Sequence, residues 1–205
     1  MKKLGLIILS LFTFLSFNAQ TQLTAEQVLA KAVALCSNNK GLSSRFKISN
    51  SGYTGNGDLK AVGSKFSIIM PDVEIWFNGT DMYTYNKSSK ETTVVTPTPE
   101  ELSESNPLNY ITSARKNYNV KFSTVKKNGK YVLELTPKLK NENIKRVTLT
   151  LNKGNFVPEK IVVEPLKGQP IAADILDFKT GISLPQSLFE YPEKKYPKVE
   201  IVDLR

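Results

Sequence analysis

The segment Trp76-Phe77-Asn78-Gly79-Thr80-Asp81-Met82-Tyr83-Thr84-Tyr85-Asn86 constrains the fold more than any other. It reads as a strand, a two-residue turn and a second strand, because Asn-Gly tolerates the positive φ angles of a type I′ hairpin turn. Its flanks are unusually aromatic for a solvated hairpin. Period-two alternation continues on both sides of it. The pattern predicts strands at 44–50, 57–61, 65–70, 74–77, 82–86, 92–96, 118–125, 130–136, 144–151, 158–163 and 171–178, with a last short one near Leu188 or Val199. Asn128-Gly129 and Gly154-Asn155 mark further turns. Antiparallel sheets of this size curl into a barrel or split into two layers.

Helix signals are few. Thr24-Ala25-Glu26-Gln27 is a capping-box pattern, followed by Val28, Leu29, Ala32, Val33 and Cys36 at helical spacing. That helix is expected to stop at 38–41. A second helical region is expected over 99–115. Pro99-Glu100-Glu101-Leu102 places carboxylates in its first turn, and Asn106-Pro107 restarts it ahead of Leu108, Tyr110 and Ile111.

Each strand offers one apolar face: Phe46 with Ile48, Phe66 with Ile68 and Met70, and Tyr131 with Leu133 and Leu135. Successive strands therefore make one apolar wall, and only two helical segments are available to cover it. A packed core and a partly filled cavity under a helical lid both satisfy this period.

The first nineteen residues have the pattern of a secretory signal peptide: Lys2 and Lys3, an apolar run over 4–17, and a cleavage region at Asn18-Ala19-Gln20. The run is short for a membrane span, which needs roughly 20 residues. No cysteine lies near the junction, so no lipid-modified N-terminus is expected. Without Lys2 and Lys3 the formal net charge falls from +9 to +7. No dense basic cluster marks a nucleic-acid binder, so the charge fits a solvated surface or one that meets anionic headgroups.

The chain contains no histidine, which removes Ser-His-Asp and Cys-His catalysis and histidine-ligated metals. Its single cysteine, Cys36, reads as a small buried hydrophobe. Glu100, Glu101 and Glu104 could pair as acids or hold Ca²⁺, but a first helical turn already accounts for them. Gly55-Asn56-Gly57-Asp58 opens no helix and reads as a hairpin rather than a phosphate loop. Asn78-Gly79-Thr80 and Asn86-Lys87-Ser88 match the N-glycosylation pattern by chance at turns.

Taken in order, several features resemble the LolA-type outer-membrane lipoprotein carriers. They are the signal peptide, the capped first helix, Phe46, Gly55-Asn56-Gly57-Asp58-Leu59, and the hairpin Asn78 to Asn86 with Tyr83 and Tyr85. Asn106-Pro107-Leu108, Tyr131-Val132-Leu133-Glu134-Leu135-Thr136-Pro137 and the strand over 144–151 complete the order. The resemblance covers nearly the whole chain after the leader. It implies a mainly β fold with an α lid: a half-open antiparallel barrel of about eleven strands enclosing an apolar cavity covered by helices. It implies one domain over 20–205. Acyl chains of lipoproteins would bind at Phe46, Ile48, Leu59, Phe66, Ile68, Met70, Leu133 and Leu135, under a lid carrying Leu29, Val33, Leu108 and Ile111. The implied role is a monomeric periplasmic carrier with no catalytic residue, metal or cofactor and no nucleic-acid partner. An inner-membrane lipoprotein-releasing ABC transporter would be the donor, and an outer-membrane acceptor or membrane surface the destination.

One departure stands out. Family members commonly carry an Arg-Pro pair at the start of the third strand, where the arginine helps latch the lid. Here the stretch is Val62-Gly63-Ser64-Lys65-Phe66, and lysine does not replace arginine in planar multiple contacts. The alternatives are a lipid- or lipoprotein-sensing envelope protein of the same fold, and a secreted glycan-acting enzyme using paired carboxylates.

The leader pattern predicts a mature chain that starts at Gln20 or Thr21 and carries no lipid. Intact-mass analysis of envelope material checks this; retention of Met1 or a lipid adduct overturns it.

Overall fold

A computed structural model describes residues 22–37, 40–139 and 143–205. The leader, and part of the expected end of the first helix at 38–41, lie outside the described residues. Helix α1 (Ala25–Cys36) opens on the expected capping box: the Thr24 hydroxyl accepts from Gln27 N–H, and the Gln27 side chain accepts from Thr24 N–H. The strands are β1 (Leu42–Ser49), β2 (Thr54–Val62), β3 (Lys65–Ile69), β4 (Val73–Phe77), β5 (Met82–Asn86), β6 (Glu91–Val95), β7 (Tyr118–Phe122), β8 (Lys130–Pro137), β9 (Ile144–Asn152), β10 (Pro158–Pro165), β11 (Ile171–Thr180) and β12 (Glu200–Asp203).

They form one sheet in the order β12-β6-β5-β4-β3-β2-β1-β11-β10-β9-β8-β7. All pairs are antiparallel except β12 on β6. The sheet has twelve strands rather than about eleven and is not closed, with β12 and β7 at its edges. No helix among the described residues is long and apolar enough to cross a membrane.

The register gathers apolar side chains on one face. Leu59 pairs with Ile68, Leu133 with Leu149, Leu135 with Val147, and Ile161 with both Leu149 and Ala173. Because the side-chain period is two, a one-residue slip in any pair would turn that strand's apolar set to solvent. On this inner face lie α1 and three short helices, α2 (Pro99–Ser105), α3 (Asn109–Thr112) and α4 (Ala114–Asn117). The helical region expected over 99–115 is thus broken. Asn106 is extended at the end of α2, and its Oδ1 accepts from Leu108 N–H at 3.0 Å, which turns the chain before α3.

Two turn expectations need correction. Asn78 does not take positive φ. Gly79 does, at +105°, and the Asn78 side chain closes the turn instead: its Oδ1 accepts from Thr80 and Asp81 N–H at 3.0 and 2.9 Å, while Asn78 N–H donates to the Asp81 carbonyl. Gly55 to Asp58 are not a hairpin but lie inside β2. Gly57 faces the Phe46 ring so closely that a Cβ would sit 2.4 Å from Phe46 Cζ. The turn instead falls at Asn50–Tyr53, where Asn50 Oδ1 accepts from Gly52 and Tyr53 N–H.

Phe77 of the 76–86 hairpin packs on Phe66 in the core, whereas Trp76, Tyr83 and Tyr85 lie on the other face of the sheet, away from the helices. They are covered by the chain's own C-terminal segment. Tyr191 stacks on Tyr83 at 5.3 Å and meets Trp76 edge-on at 5.5 Å, and Tyr196 lies 4.3 Å from Tyr85. Glu74 is buried beneath this strap. Tyr196 Oη and Lys195 Nζ donate to its Oε2 at 2.6 and 2.9 Å, and Lys87 Nζ lies 3.1 Å from Oε1. Burial alone would raise its pKa. The three donors outweigh burial and hold the carboxyl below its ordinary value of 4.5.

A depressed folded pKa stabilises the strap above the ordinary value, and that contribution is lost as pH falls through the lower folded one. Trp76 is the chain's single tryptophan. Its emission is therefore expected to shift to the red on acidification below pH 4.5. Glu74→Gln should remove most of that pH dependence, and an unchanged acid profile would refute the linkage.

Candidate functional site

A pocket of about 280 Å³ lies between the inner face and the helical layer. Phe46, Ile48, Ile68, Met70 and Ile75 form one wall; Ile144, Ile161, Val163, Ile171 and Ala173 form the other. Glu104, Ser105, Pro107 and Tyr110 lie above it, and Asn143 at one side. Local sequence explains the opening. Ile48 pairs with Ala173, whose small side chain leaves space that larger residues fill elsewhere; on its other side, at Gly55, the Tyr53 phenol takes up the room.

The sequence-predicted residues divide between this pocket and a packed interior. Phe46, Ile48, Ile68 and Met70 line the pocket. Leu59, Phe66, Leu133 and Leu135 share the face but are each at most 1% exposed, inside the main core cluster. Leu29, Leu108 and Ile111 are buried in the same cluster, with Val33 packed against it. The helical residues over the pocket are instead Pro107 and Tyr110. The sequence reading missed Ile75, Ile144, Ile161, Val163, Ile171 and Ala173. The last four sit in the predicted strands 158–163 and 171–178, and their alternation was the available signal.

Burial, with a smaller contribution from Glu104, pushes the Tyr110 phenol up to about 12, so it faces the pocket as a neutral donor. Glu101 is engaged in capping α2: it accepts from Thr98 N–H at 2.7 Å and from the Thr98 hydroxyl at 3.1 Å. The Glu100 side chain lies outside the described residues. Burial also pushes the Cys36 thiol up to about 12, which keeps it out of the reactive thiolate form. The site therefore offers apolar area and a few hydrogen-bonding groups.

Lys65 takes no part in latching the helices. Its Nζ donates to Gln186 Oε1 at 3.0 Å, on the 3₁₀ helix Gln186–Phe189 of the C-terminal strap. A wider opening of about 470 Å³ separates Ala61, Lys65 and Phe77 from Leu102, Leu108 and Asn109. The helical layer is held here by apolar contact.

A family model described as outer membrane lipoprotein carrier protein LolA matches residues 15–167. No curated protein matches the sequence. The solved structure of an uncharacterized conserved protein from Thermus thermophilus shares the fold, with a TM-score of 0.59 and 10% identity over 87% of this chain and 98% of the other. A LolA superfamily protein from Nitrosomonas europaea aligns with a TM-score of 0.45 and 15% identity over 83% of this chain and 99% of the other.

Leu108→Ala should lower the unfolding free energy by about 2–5 kcal/mol, the usual cost of emptying a buried leucine site. Lys65→Gln should cost less than about 1 kcal/mol, as for an exposed polar contact. Urea denaturation of both variants makes the comparison; the reverse order would show that the Lys65 bond to the strap, and not the apolar contact of the helical layer, dominates stability here.

Proposed function

This chain belongs to the outer membrane lipoprotein carrier protein LolA family, and we propose that it is a periplasmic carrier for the acyl chains of lipoproteins. In this reading the open sheet and its helical layer act as a half-open barrel and lid. Cargo passes from an inner-membrane lipoprotein-releasing transporter to an acceptor at the outer membrane. Proteins of the family are generally binding and carrier proteins. The observation that carries the reading is the apolar pocket between Ile48, Ile68 and Val163, roofed by Pro107 and Tyr110.

The energetics suit the task. Each methylene taken out of water contributes roughly 0.8 kcal/mol, without directional chemistry. The pocket is near the lower end of the roughly 300–1,000 Å³ typical of ligand sites, so it accepts part of one chain as it stands. Bulkier cargo requires the helices to lift. Their short lengths and the break at Asn106 leave apolar contact as the main resistance to that motion. Tyr110, held neutral, tolerates an ester or amide near the mouth without placing a charge against hydrocarbon.

A fluorescent fatty-acyl probe tests the reading. Ile48→Trp fills the space beside Ala173 and should weaken probe binding at least about tenfold, about 1.4 kcal/mol. Leu176→Trp, at an exposed site, should leave binding unchanged. A wild-type protein that ignores the probe, or an Ile48→Trp variant that binds normally, would refute the assignment.

A further inference from the structure

The end of the sheet opposite the pocket carries a second surface. The loops over 123–129 and 153–157 lie side by side there, joined by Lys153 N–H donating to the Gly129 carbonyl at 3.0 Å. Phe122, Tyr131 and Phe156 form a row of rings, with centroids 6.0 and 5.9 Å apart and the second pair nearly parallel at 8°. Phe156 takes φ of +62°, a conformation that bulky residues rarely hold. Its N–H donates to the Asn152 carbonyl at 2.8 Å, and Asn155 Oδ1 accepts from Val157 N–H at 3.1 Å, which fixes the strained turn.

Lysines surround the rings. Lys31 Nζ on α1 stands 5.1 Å from the Phe156 ring centre and Lys153 Nζ 5.8 Å from that of Tyr131. Lys126 and Lys127 are exposed in the adjoining loop. None of these four forms an ion pair among the described residues. Glu159, the neighbouring carboxylate, is occupied by Lys130 and by Asn152 Nδ2. Phe122 and Val125 are 37% and 58% exposed.

We propose that this end of the molecule docks on an anionic lipid bilayer surface. Val125 and the edge of Phe122 would enter the boundary between headgroups and acyl chains, and the lysines would lie on the phosphates. The observations favour this occupant on two counts. Exposed lysines in no close ion pair, Lys127 acting on Glu159 at longer range, match a negatively charged interface when set around aromatic rings, where such rings concentrate and lysines keep their ammonium groups in water. The Tyr131 and Phe156 faces are covered by one another and by lysines, which leaves no run of stacking platforms for the successive bases of a nucleic acid. The pocket is framed by Ile48, Met70, Ile144, Val163 and Ile171 at the opposite strand ends. Docking therefore leaves its mouth clear of the bilayer.

Co-sedimentation of the purified protein with vesicles tests the proposal. Equal parts of phosphatidylglycerol and phosphatidylcholine should carry the protein down; phosphatidylcholine alone should not. Added salt should weaken the association. The triple variant Lys126→Glu, Lys127→Glu, Lys153→Glu should lower partitioning at least about tenfold. Phe122→Ser with Val125→Ser should lower it severalfold even at low salt. Charge reversal at Lys167 and Lys194, away from the patch, should leave it nearly unchanged. Equal binding to neutral vesicles, no binding to anionic ones, undiminished binding by the patch variants, or equal loss in the distant controls overturns the proposal. Acyl-probe affinity should persist in every variant, so a failure of docking is distinguishable from a failure of the carrier reading.

Discussion

The structure depends on an imbalance of area. Eleven of the twelve strands, all but the edge strand β12, share one apolar face, and α1 with three short helices must cover it. Where coverage is complete, Leu29, Leu108 and Ile111 meet Leu59, Phe66, Leu133 and Leu135, and all are nearly fully buried. Where it runs out, beside Ile48 and Ala173, a pocket remains. A sheet closed upon itself would leave less face to cover, and longer helices would fill the space. The open site is thus a consequence of how much helix this chain devotes to its sheet.

The opposite face solves a different problem. A half-covered sheet has edges, and edges invite pairing with other chains. The C-terminal segment crosses the outer face through Tyr191 and Tyr196, buries Glu74, and then runs β12 parallel to β6. Leu204 N–H continues the pairing onto the Val94 carbonyl at 2.9 Å, and Arg205 bonds Asp81 at 2.8 Å. Trp76, Tyr83 and Tyr85 of the hairpin are therefore contact points for the chain's own end. Their aromatic character was legible in the sequence and their partner was not, since nothing local in 76–86 states which distant segment will cover it.

The same division runs through the rest of the chain. The strand at 82–86 was readable to the residue, and those at 130–137 and 144–152 to within one, because alternation and turn residues are local signals. The capping box of α1 was equally local. Gly55 to Asp58 were misplaced because glycine usually marks a turn, whereas Gly57 is required here by the ring of Phe46 on the neighbouring strand. Four pocket residues were found from one-sided strands. Ile161, Val163, Ile171 and Ala173 carried the same signal and were overlooked. The split between packed and open portions could not be read, because a void depends on which side chains meet across neighbouring strands and the helices above them.

In the carrier reading proposed above, the helical layer would be a lid without the family's arginine latch. A latch of hydrogen bonds makes closure depend on a few atoms. Apolar contact would distribute it over Leu102, Leu108, Ile111 and Tyr110, so closure would weaken gradually as cargo supplied competing apolar surface. In such a design, cargo and lid compete for the same wall, and the exchange of one for the other costs little net burial. Binding and release can then both proceed without a large barrier, since neither state leaves the inner face exposed to water. Lys65 is free for another use under this arrangement, and the structure gives it one: it anchors the C-terminal strap through Gln186, on the far side of the sheet from the pocket.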